Sequence, residues 1–335
     1  MSAIAPASHG WPGPHSPFHE GERAAQMRAG FLEAADAAGR RGIRDHMPEQ
    51  HRAFYARLPF MVVGGLDRAG QPWATMRIGQ PGFVSSPDAR TLMIEGATLP
   101  GDPLDGTWQH GASFGGLGIE LPTRRRNRVN GVVTDIGEAG MTVSVTQTFG
   151  NCARYIQSRA PEWMKRPSSE AAPAHSSAPA LSNEDRVLLD GADTLFVASA
   201  HGVPGGGAAG GVDVSHRGGL PGFVHVYDAF TFAIPDYSGN RFLNTIGNLV
   251  ASPGAGLLFM DFERADLLYV AADAEILWDG PALSEFEGAE RVIRFHVRQT
   301  RRSRAVLPFR WTLPQFAPQF APKSGAGKGA PQQSG

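Results

Sequence analysis

The sequence predicts a mainly β protein of the α+β class, in which an N-terminal helical extension precedes two copies of a β-barrel or sandwich unit. Its 335 residues are 41% apolar with a formal net charge of −1, which is enough apolar content to form folded cores. Short apolar or alternating runs, separated by Gly, Pro and Asp, recur at the spacing typical of all-β domains. Two blocks of the first half also recur in the second half at one constant offset.

The N-terminal region predicts two helices. Residues 1–15 are rich in Pro, Gly and His, and we expect them to lack fixed structure. Ser16 and Pro17 are the residue types preferred at an N-cap and a first helical position, which predicts a helix from there to about Arg40. Pro48 begins a second, shorter predicted helix.

Strand-like runs then follow in two groups. They lie at residues 59–63, 73–78, 91–94 and 141–146, and at residues 194–200, 222–226, 255–262, 267–271 and 274–278. A Ser/Ala/Pro-rich tract between the groups has no periodicity and is typical of a linker. The pattern predicts a disordered start and helical extension, a first barrel, a linker, a second barrel and a disordered tail, at residues 1–57, 58–160, 161–190, 191–315 and 316–335.

The two halves share sequence blocks. Residues 71–84 align with residues 211–224, sharing an Arg, a Gly and the run Pro-Gly-Phe-Val, and a weaker match aligns residues 116–130 with residues 256–270. Both matches have an offset of 140 residues, which favours an internal duplication. Two unrelated β-rich domains with similar turns are the alternative.

A candidate anion site lies in the second half. A turn, a predicted helix over residues 240–251 and an apolar strand follow one another, which places free backbone N–H groups at a helix N-terminus. Arg241 adds a guanidinium that can bind phosphate with two hydrogen bonds. Asn244, Thr245 and Asn248 share one helical face with it. These groups suit a phosphomonoester, and an ordinary N-capped helix with solvent-facing Asn and Thr is the alternative.

The first copy lacks these features at the corresponding positions. Residues 95–110 contain Asp102 and Asp105 and no Arg or Lys. Two carboxylates would repel a phosphate, so the sequence predicts one ligand per chain.

Two segments of the second half carry a family resemblance. Residues 236–259 contain Gly-Asn-Arg, then Asn-Thr, Gly-Asn-Leu and a Gly-Leu-Leu-Phe strand, and residues 213–224 read Asp-Val-Ser-His-Arg-Gly-Gly-Leu-Pro-Gly-Phe-Val. Together they resemble the phosphate-binding region of the pyridoxamine 5′-phosphate oxidase-like proteins, which are FMN-binding split β-barrels. The resemblance covers about residues 194–278 and is weaker over residues 54–150. It implies two tandem split barrels that form an internal pseudo-dimer.

The resemblance also implies a cofactor site for FMN. Arg217 and Arg241 would neutralise its phosphate, neutral polar groups of the helix would donate to it, and the strand around His216 would lie along the isoalloxazine ring. The implied cofactor-binding residues are Ser215, His216, Arg217, Gly218, Asn240, Arg241, Asn244, Thr245 and Asn248.

The first half would complete this pocket, as a partner barrel does in the family. The candidates are the arginine run at residues 123–128 and the segment at residues 147–157. This second segment contains Asn151, Arg154, Tyr155 and Gln157. A solvated strand edge and an ordinary turn are the respective alternatives.

The resemblance implies an FMN-dependent oxidoreductase that passes a hydride or electrons to a small acceptor, with NAD(P)H as a candidate reductant. The chain lacks the Ser-Arg-Lys form of the phosphate segment found in the vitamin B6 oxidases. No catalytic side chain is predicted, and His216 is the one candidate proton donor beside the ring. The alternatives are a non-catalytic flavin- or haem-binding protein, with His201, His216 or His225 as axial ligand, and an interaction module with a vestigial pocket.

Composition excludes several partners. The near-neutral charge gives no large basic field for nucleic acid. A single cysteine, Cys152, allows no internal disulfide and no Cys-rich metal site. No stretch approaches the roughly 18 apolar residues of a membrane span. We therefore expect a cytoplasmic protein with a small-molecule substrate, no nucleic-acid or membrane partner and no metal; the choice between a monomer and a homodimer stays open.

Overall fold

Two large antiparallel sheets dominate the computed structural model, which describes residues 10–96, 98–164, 174–202 and 209–320. The prediction of a mainly β, α+β protein is confirmed. Helices are few in the described residues, and none of these is long and apolar enough to cross a membrane. The α-helices are α1 (Glu20–Arg28), α2 (Leu32–Gly42), α3 (Glu49–Tyr55), α4 (Asn183–Gly191) and α5 (Asn244–Ala251).

The first sheet comes from the first half of the chain. Its strands are β1 (Phe60–Leu66), β2 (Pro72–Ile78), β3 (Val84–Asp88), β4 (Thr91–Glu95), β5 (Ser113–Glu120), β6 (Arg125–Gly137) and β7 (Gly140–Asn151). Their spatial order is β2-β1-β5-β6-β7-β4-β3. Two short strands follow, β8 (Pro161–Trp163) and β9 (His175–Ala178).

The second sheet comes from the second half. Its strands are β10 (Thr194–His201), β11 (Gly211–Gly218), β12 (His225–Val226), β13 (Thr231–Tyr237), β14 (Gly254–Asp261), β15 (Asp266–Leu277) and β16 (Ala289–Ser303). Their order is β11-β10-β14-β15-β16-β13-β12, and β9 pairs with β16. A final strand, β17 (Phe309–Trp311), pairs with β8.

The two sheets have the same topology. Adding nine to each strand number of the first sheet gives the strand order of the second, so every strand has a counterpart in the same spatial position. Such a match over seven strands supports the duplication that the sequence offset indicates. The halves therefore share one topology, and they are called the first and the second copy below.

One apolar cluster joins the two copies. Phe60 and Trp73 of the first copy lie in the same buried cluster as Phe196 and Val214 of the second. The backbones also approach closely, because a Cβ added at Gly256 of β14 would overlap the backbone at Trp73 of β2. This shared core fixes the relative position of the copies and of any site between them.

The predicted N-terminal helix is wrong in one respect, because it is two helices. Gly30 has a φ of +81°, the left-handed conformation that glycine adopts readily. The Gly30 N–H donates to the Met27 carbonyl and the Phe31 N–H to the Gln26 carbonyl, which is the Schellman arrangement that ends a helix. The chain restarts as α2 and packs beside α1.

Some stretches expected to lack structure are ordered. Within residues 10–15, the Trp11 N–H donates to the Arg40 carbonyl over 2.8 Å. In the predicted tail, Ala317 is fully buried and its N–H donates to Gln157 Oε1. The predicted linker contributes β8, β9 and most of α4. The other residues of the predicted start and tail, 1–9 and 321–335, lie outside the described residues.

Candidate functional site

A cavity of about 100 Å³ opens between the two copies. The second copy lines it with β11, the loop after β13 and the start of α5, and the first copy lines it with β6 and the chain that follows β7. The volume admits a phosphoryl group and several water molecules.

Eight of the predicted cofactor-binding residues lie together around this cavity. Arg217 and Arg241, which are 24 residues apart in the sequence, border the same space. The residues brought together are Ser215, His216, Arg217, Gly218, Asn240, Arg241, Asn244 and Thr245. Asn248, the remaining predicted residue, does not line the cavity.

The loop before α5 has an unusual backbone. The helix begins at Asn244, four residues later than predicted, because Arg241 and Leu243 have φ values of +64° and +56°. Alternation of left-handed and ordinary residues turns successive N–H groups toward one concave side, which favours anions. Leu243 at the N-cap provides no side-chain hydrogen bond to the helix. The first N–H groups of α5 are therefore left without a side-chain cap beside the cavity.

Arg241 supplies positive charge at this loop. Its side chain is exposed, and its guanidinium lies 5.4 Å from the centre of the Phe31 ring. Among the described residues it has no carboxylate partner within ion-pair distance, so its charge remains available to a ligand.

Arg217 is placed differently from the expectation. It forms an ion pair with Asp236, and Asp236 also accepts a hydrogen bond from Arg291 Nε over 2.8 Å. Arg291 contacts Glu290 as well. The charges of these two arginines and two carboxylates balance, so Arg217 contributes less net positive charge than the sequence suggests.

The first copy contributes two arginines to the cavity. Strand alternation places Arg126 and Arg128 on one face of β6, and both line the cavity. Arg128 forms an ion pair with Asp213 over 2.9 Å and donates to Ser215 Oγ. Arg126 has no carboxylate partner among the described residues. The predicted arginine run therefore includes two residues that line the cavity. The alternation of side chains along a strand could have distinguished them, in the sequence, from neighbours that point to the other face.

The segment after β7 also reaches the cavity. Asn151 Oδ1 accepts a hydrogen bond from Asn240 Nδ2 over 3.3 Å. Tyr155 stacks on Tyr237 with ring centres 5.2 Å apart, and both rings also contact Phe320. Arg154 and Gln157, offered by the same segment, do not line the cavity.

The contacts of His216 determine its tautomer. Its Nδ1 lies 3.1 Å from Arg126 Nη1, and a guanidinium can only donate, so Nδ1 is the acceptor. Burial lowers the pKa of His216 well below 6.5, and the charges of Arg126 and Arg217 lower it further. The imidazole is therefore neutral with its proton on Nε2, which makes this residue a hydrogen-bond donor to a ligand and a poor acid.

Replacing His216 with glutamine tests this protonation state. The unfolded chain binds a proton at His216 below a pH of about 6.5 while the folded chain does not, so stability falls as the pH falls toward the folded pKa. We expect His216→Gln to lose less stability than the unsubstituted protein between about pH 7 and pH 5, measured by urea unfolding at both pH values. The other buried histidines are present in both proteins, so their contributions to the pH dependence of stability cancel. Equal losses of stability in the two proteins would contradict a neutral His216.

Four cavity residues carry buried polar atoms without a hydrogen-bond partner among the described residues. The atoms are His216 Nε2, Arg217 Nε, Arg128 Nε and Asn151 Nδ2. All four are donors. Since an unmet buried donor costs about 1–3 kcal/mol, the set suits a ligand that is rich in acceptor atoms.

Asn244 and Asn248 both donate hydrogen bonds within the protein. Asn244 Nδ2 donates to the buried carboxyl group of Glu22 in α1, although the residue lines the cavity. Asn248 Nδ2 donates to Ser199 Oγ and Asp213 Oδ2, both at 3.0 Å. The amide donors of both residues are thus used within the protein. The N-terminal extension and β10–β11, rather than a phosphate, receive these bonds.

The N-terminal helix α1 supports the loop before α5. Gln26 Nε2 donates to the carbonyl of Phe242 over 2.9 Å, and Glu22 accepts from Asn244. Burial raises the pKa of Glu22 well above 4.5, and the nearby Asp213 raises it further. Glu22 therefore holds a proton more readily than an ordinary glutamate. α1 is therefore part of the structure that positions the loop carrying Arg241.

In the corresponding region of the first copy, an arginine lies near two acidic residues. Arg77, the counterpart of Arg217, is 4% exposed and experiences the opposite charges of Asp102 and Asp105. Burial raises the pKa of Asp102. None of these three residues borders the cavity described above.

The other histidine candidates lie elsewhere. His201 stacks on His19, and His225 stacks on Tyr227, and neither lines the cavity. No group of three or more His, Cys, Asp or Glu side chains in the described residues is arranged to hold a metal ion.

Comparisons with known proteins give partial structural similarities only. No family model matches the chain, and no curated protein matches it. A proposed pyridoxamine 5′-phosphate oxidase from Lactobacillus delbrueckii aligns with 37% of this chain and 94% of its own, at 16% identity and a TM-score of 0.30. HupZ from Group A Streptococcus aligns with 35% of this chain and 89% of its own, at 18% identity and a TM-score of 0.28. Scores this low do not define the fold.

Proposed function

We propose that this protein is an FMN-dependent oxidoreductase built from two tandem split β-barrels of the pyridoxamine 5′-phosphate oxidase-like kind, arranged as an internal pseudo-dimer. The observation that carries the proposal is the cavity between the copies. There an uncapped helix start lies beside Arg241 and Arg126, which have no carboxylate partner among the described residues. The repeated seven-strand topology supports the pseudo-dimer.

The residues present fit the phosphate group of FMN. The loop before α5 offers backbone N–H groups, and Arg241 offers a guanidinium that can form charge-assisted hydrogen bonds. The hydroxyl groups of Ser215 and Thr245, 2.8 Å apart, lie beside them. Asp236 and Glu290 are also cavity residues, but each is paired with Arg291.

The remaining donors suit the polar part of a flavin ring. His216 Nε2 and Asn151 Nδ2 supply N–H groups, while Arg126, which donates to Cys152, Arg154 and His216, supplies positive charge. Together they favour a ring whose edge carries carbonyl oxygens and gains electron density. When bound, FMN would supply hydride and single-electron chemistry. The side chains would bind and orient the ring, and neutral His216 would hold its proton on Nε2 and donate a hydrogen bond.

The cavity is too small to enclose a whole flavin cofactor. At about 100 Å³ it is smaller than the roughly 300–1,000 Å³ of a pocket that encloses a whole cofactor. Tyr155 and Tyr237 are only partly buried at the cavity and contact Phe320. The proposal therefore requires this aromatic cluster to move when FMN binds, while the phosphate subsite stays in place.

An absorption spectrum of the purified full chain, before and after addition of FMN, tests the proposal. We expect a protein-bound flavin spectrum, and at about 100 times the dissociation constant FMN should raise stability by about 2.7 kcal/mol. Reduction by NADH or NADPH, followed by stopped-flow absorbance, would then identify the reductant. An intense Soret band would instead indicate haem, and a colourless protein that FMN does not stabilise would indicate a vestigial pocket.

A further inference from the structure

We propose that a second cavity, separate from the first, binds a small aromatic molecule that carries a hydroxyl group. This cavity has a volume of about 370 Å³ and lies between α4, the end of β14 and residues 311–316. No residue that lines it also lines the cavity between the copies. Its volume falls within the roughly 300–1,000 Å³ typical of small-molecule sites.

The walls of this cavity are mostly apolar. Aromatic and aliphatic side chains from both the second copy and the C-terminal segment contribute to them, namely Leu188, Pro221, Met260, Phe262, Trp311 and Leu313. Leu313 is 88% exposed and Val187, at the edge of the cavity on α4, is 70% exposed. Apolar surface is therefore open to solvent here, and an aromatic ring would cover it.

One end of the cavity is polar and deeply buried. Arg159 and Asp193 form an ion pair there and are 5% and 7% exposed. The Arg159 guanidinium lies 3.6 Å from the centre of the Phe262 ring, which holds it in a fixed position. The two charges cancel, so this end favours a neutral polar group over an ion.

Three polar atoms of the lining residues have no partner among the described residues. Asp193 Oδ1 is a buried acceptor, while Arg159 Nε and Trp311 Nε1 are buried donors. A hydroxyl group has one donor and two acceptor sites. A single hydroxyl that donates to Asp193 Oδ1 can accept from Arg159 Nε of the same ion pair, which is why we assign a phenol-like ligand to this cavity.

Titration of the full chain with 2-naphthol, followed by isothermal calorimetry, tests the proposal. We expect one equivalent to bind. Naphthalene has the same rings without the hydroxyl and should bind at least about tenfold more weakly, since a site with unmet polar groups discriminates against the analogue that cannot pair them.

A matched pair of variants locates the binding. Val187→Trp adds a large side chain at the edge of the cavity from an exposed helical position, so it should block the cavity without disturbing the core. Met27→Trp makes a similar change at a 66% exposed position of α1, outside the cavity. We expect about tenfold weaker naphthol binding in Val187→Trp and unchanged binding in Met27→Trp. Absence of binding to the unsubstituted chain, equal binding by Val187→Trp, or equal affinity for naphthalene would overturn the proposal.

Discussion

Replacement of Arg241 with alanine is expected to weaken FMN binding by about 10–150-fold. Arg241 lines the cavity and has no carboxylate partner among the described residues, and loss of a charge-assisted contact costs about 1.5–3 kcal/mol. Its side chain is exposed, so the substitution should leave the free energy of unfolding nearly unchanged. FMN fluorescence quenching gives the affinity, and urea unfolding without ligand gives the stability.

Arg57→Ala is the matched control. Arg57 is exposed and lies outside the cavity. Arg124 would be a poor control, because its side chain donates to the carbonyls of Ile156 and Gln315 and ties two segments together. Equal FMN affinity in Arg241→Ala and Arg57→Ala would contradict the assignment of the phosphate subsite.

Replacement of Gly247 with alanine should damage both stability and FMN binding. A Cβ at this position would overlap the backbone of Glu22, which cannot yield as a flexible side chain can. α1 and α5 must then separate, and overpacking of this kind costs about 1–3 kcal/mol. Separation would also stretch the contact between Glu22 and Asn244 and displace the loop that carries Arg241. Thermal unfolding and FMN titration measure the two effects.

Gly191→Ala provides the comparison for this variant. Gly191 ends α4, and a Cβ added there meets no atom within 4 Å. We expect this substitution to be neutral or slightly stabilising, because alanine restricts the unfolded chain more than glycine does. A Gly247→Ala protein with unchanged stability and FMN affinity would show that close packing of α1 on α5 does not support the site.

The predictable part of the fold came from local patterns. Apolar or alternating runs located β10, β14 and β15 of the second sheet, while β13 and β16 were not predicted. The 140-residue offset indicated the duplication without any knowledge of the strand order. β5 was missed because its Gly-rich sequence lacks the residues preferred in strands. The structure explains Gly115 of this strand, since a Cβ there would overlap the backbone of Val212 in the other copy. This steric requirement comes from the contact between the two copies, so no pattern in the local sequence reveals it.

The site was predictable to a similar extent. The motif around Arg241 located the loop before α5, because an arginine beside a helix start has a local sequence pattern. The contact between Asn244 and Glu22 was not predictable, since the two residues are separated by 222 positions. Nor did the sequence reveal that Asp236 and Arg291 would share the charge of Arg217. Partners distant in the chain decide which donors remain available to a ligand.

Parallel titrations with FMN and riboflavin test the central claim most directly, because the two molecules differ only in the phosphate. If the loop around Arg241 binds the phosphate, each chain should bind a single FMN molecule and should bind riboflavin at least about tenfold more weakly. Indistinguishable affinities for the two flavins, or two FMN molecules per chain, would contradict the account.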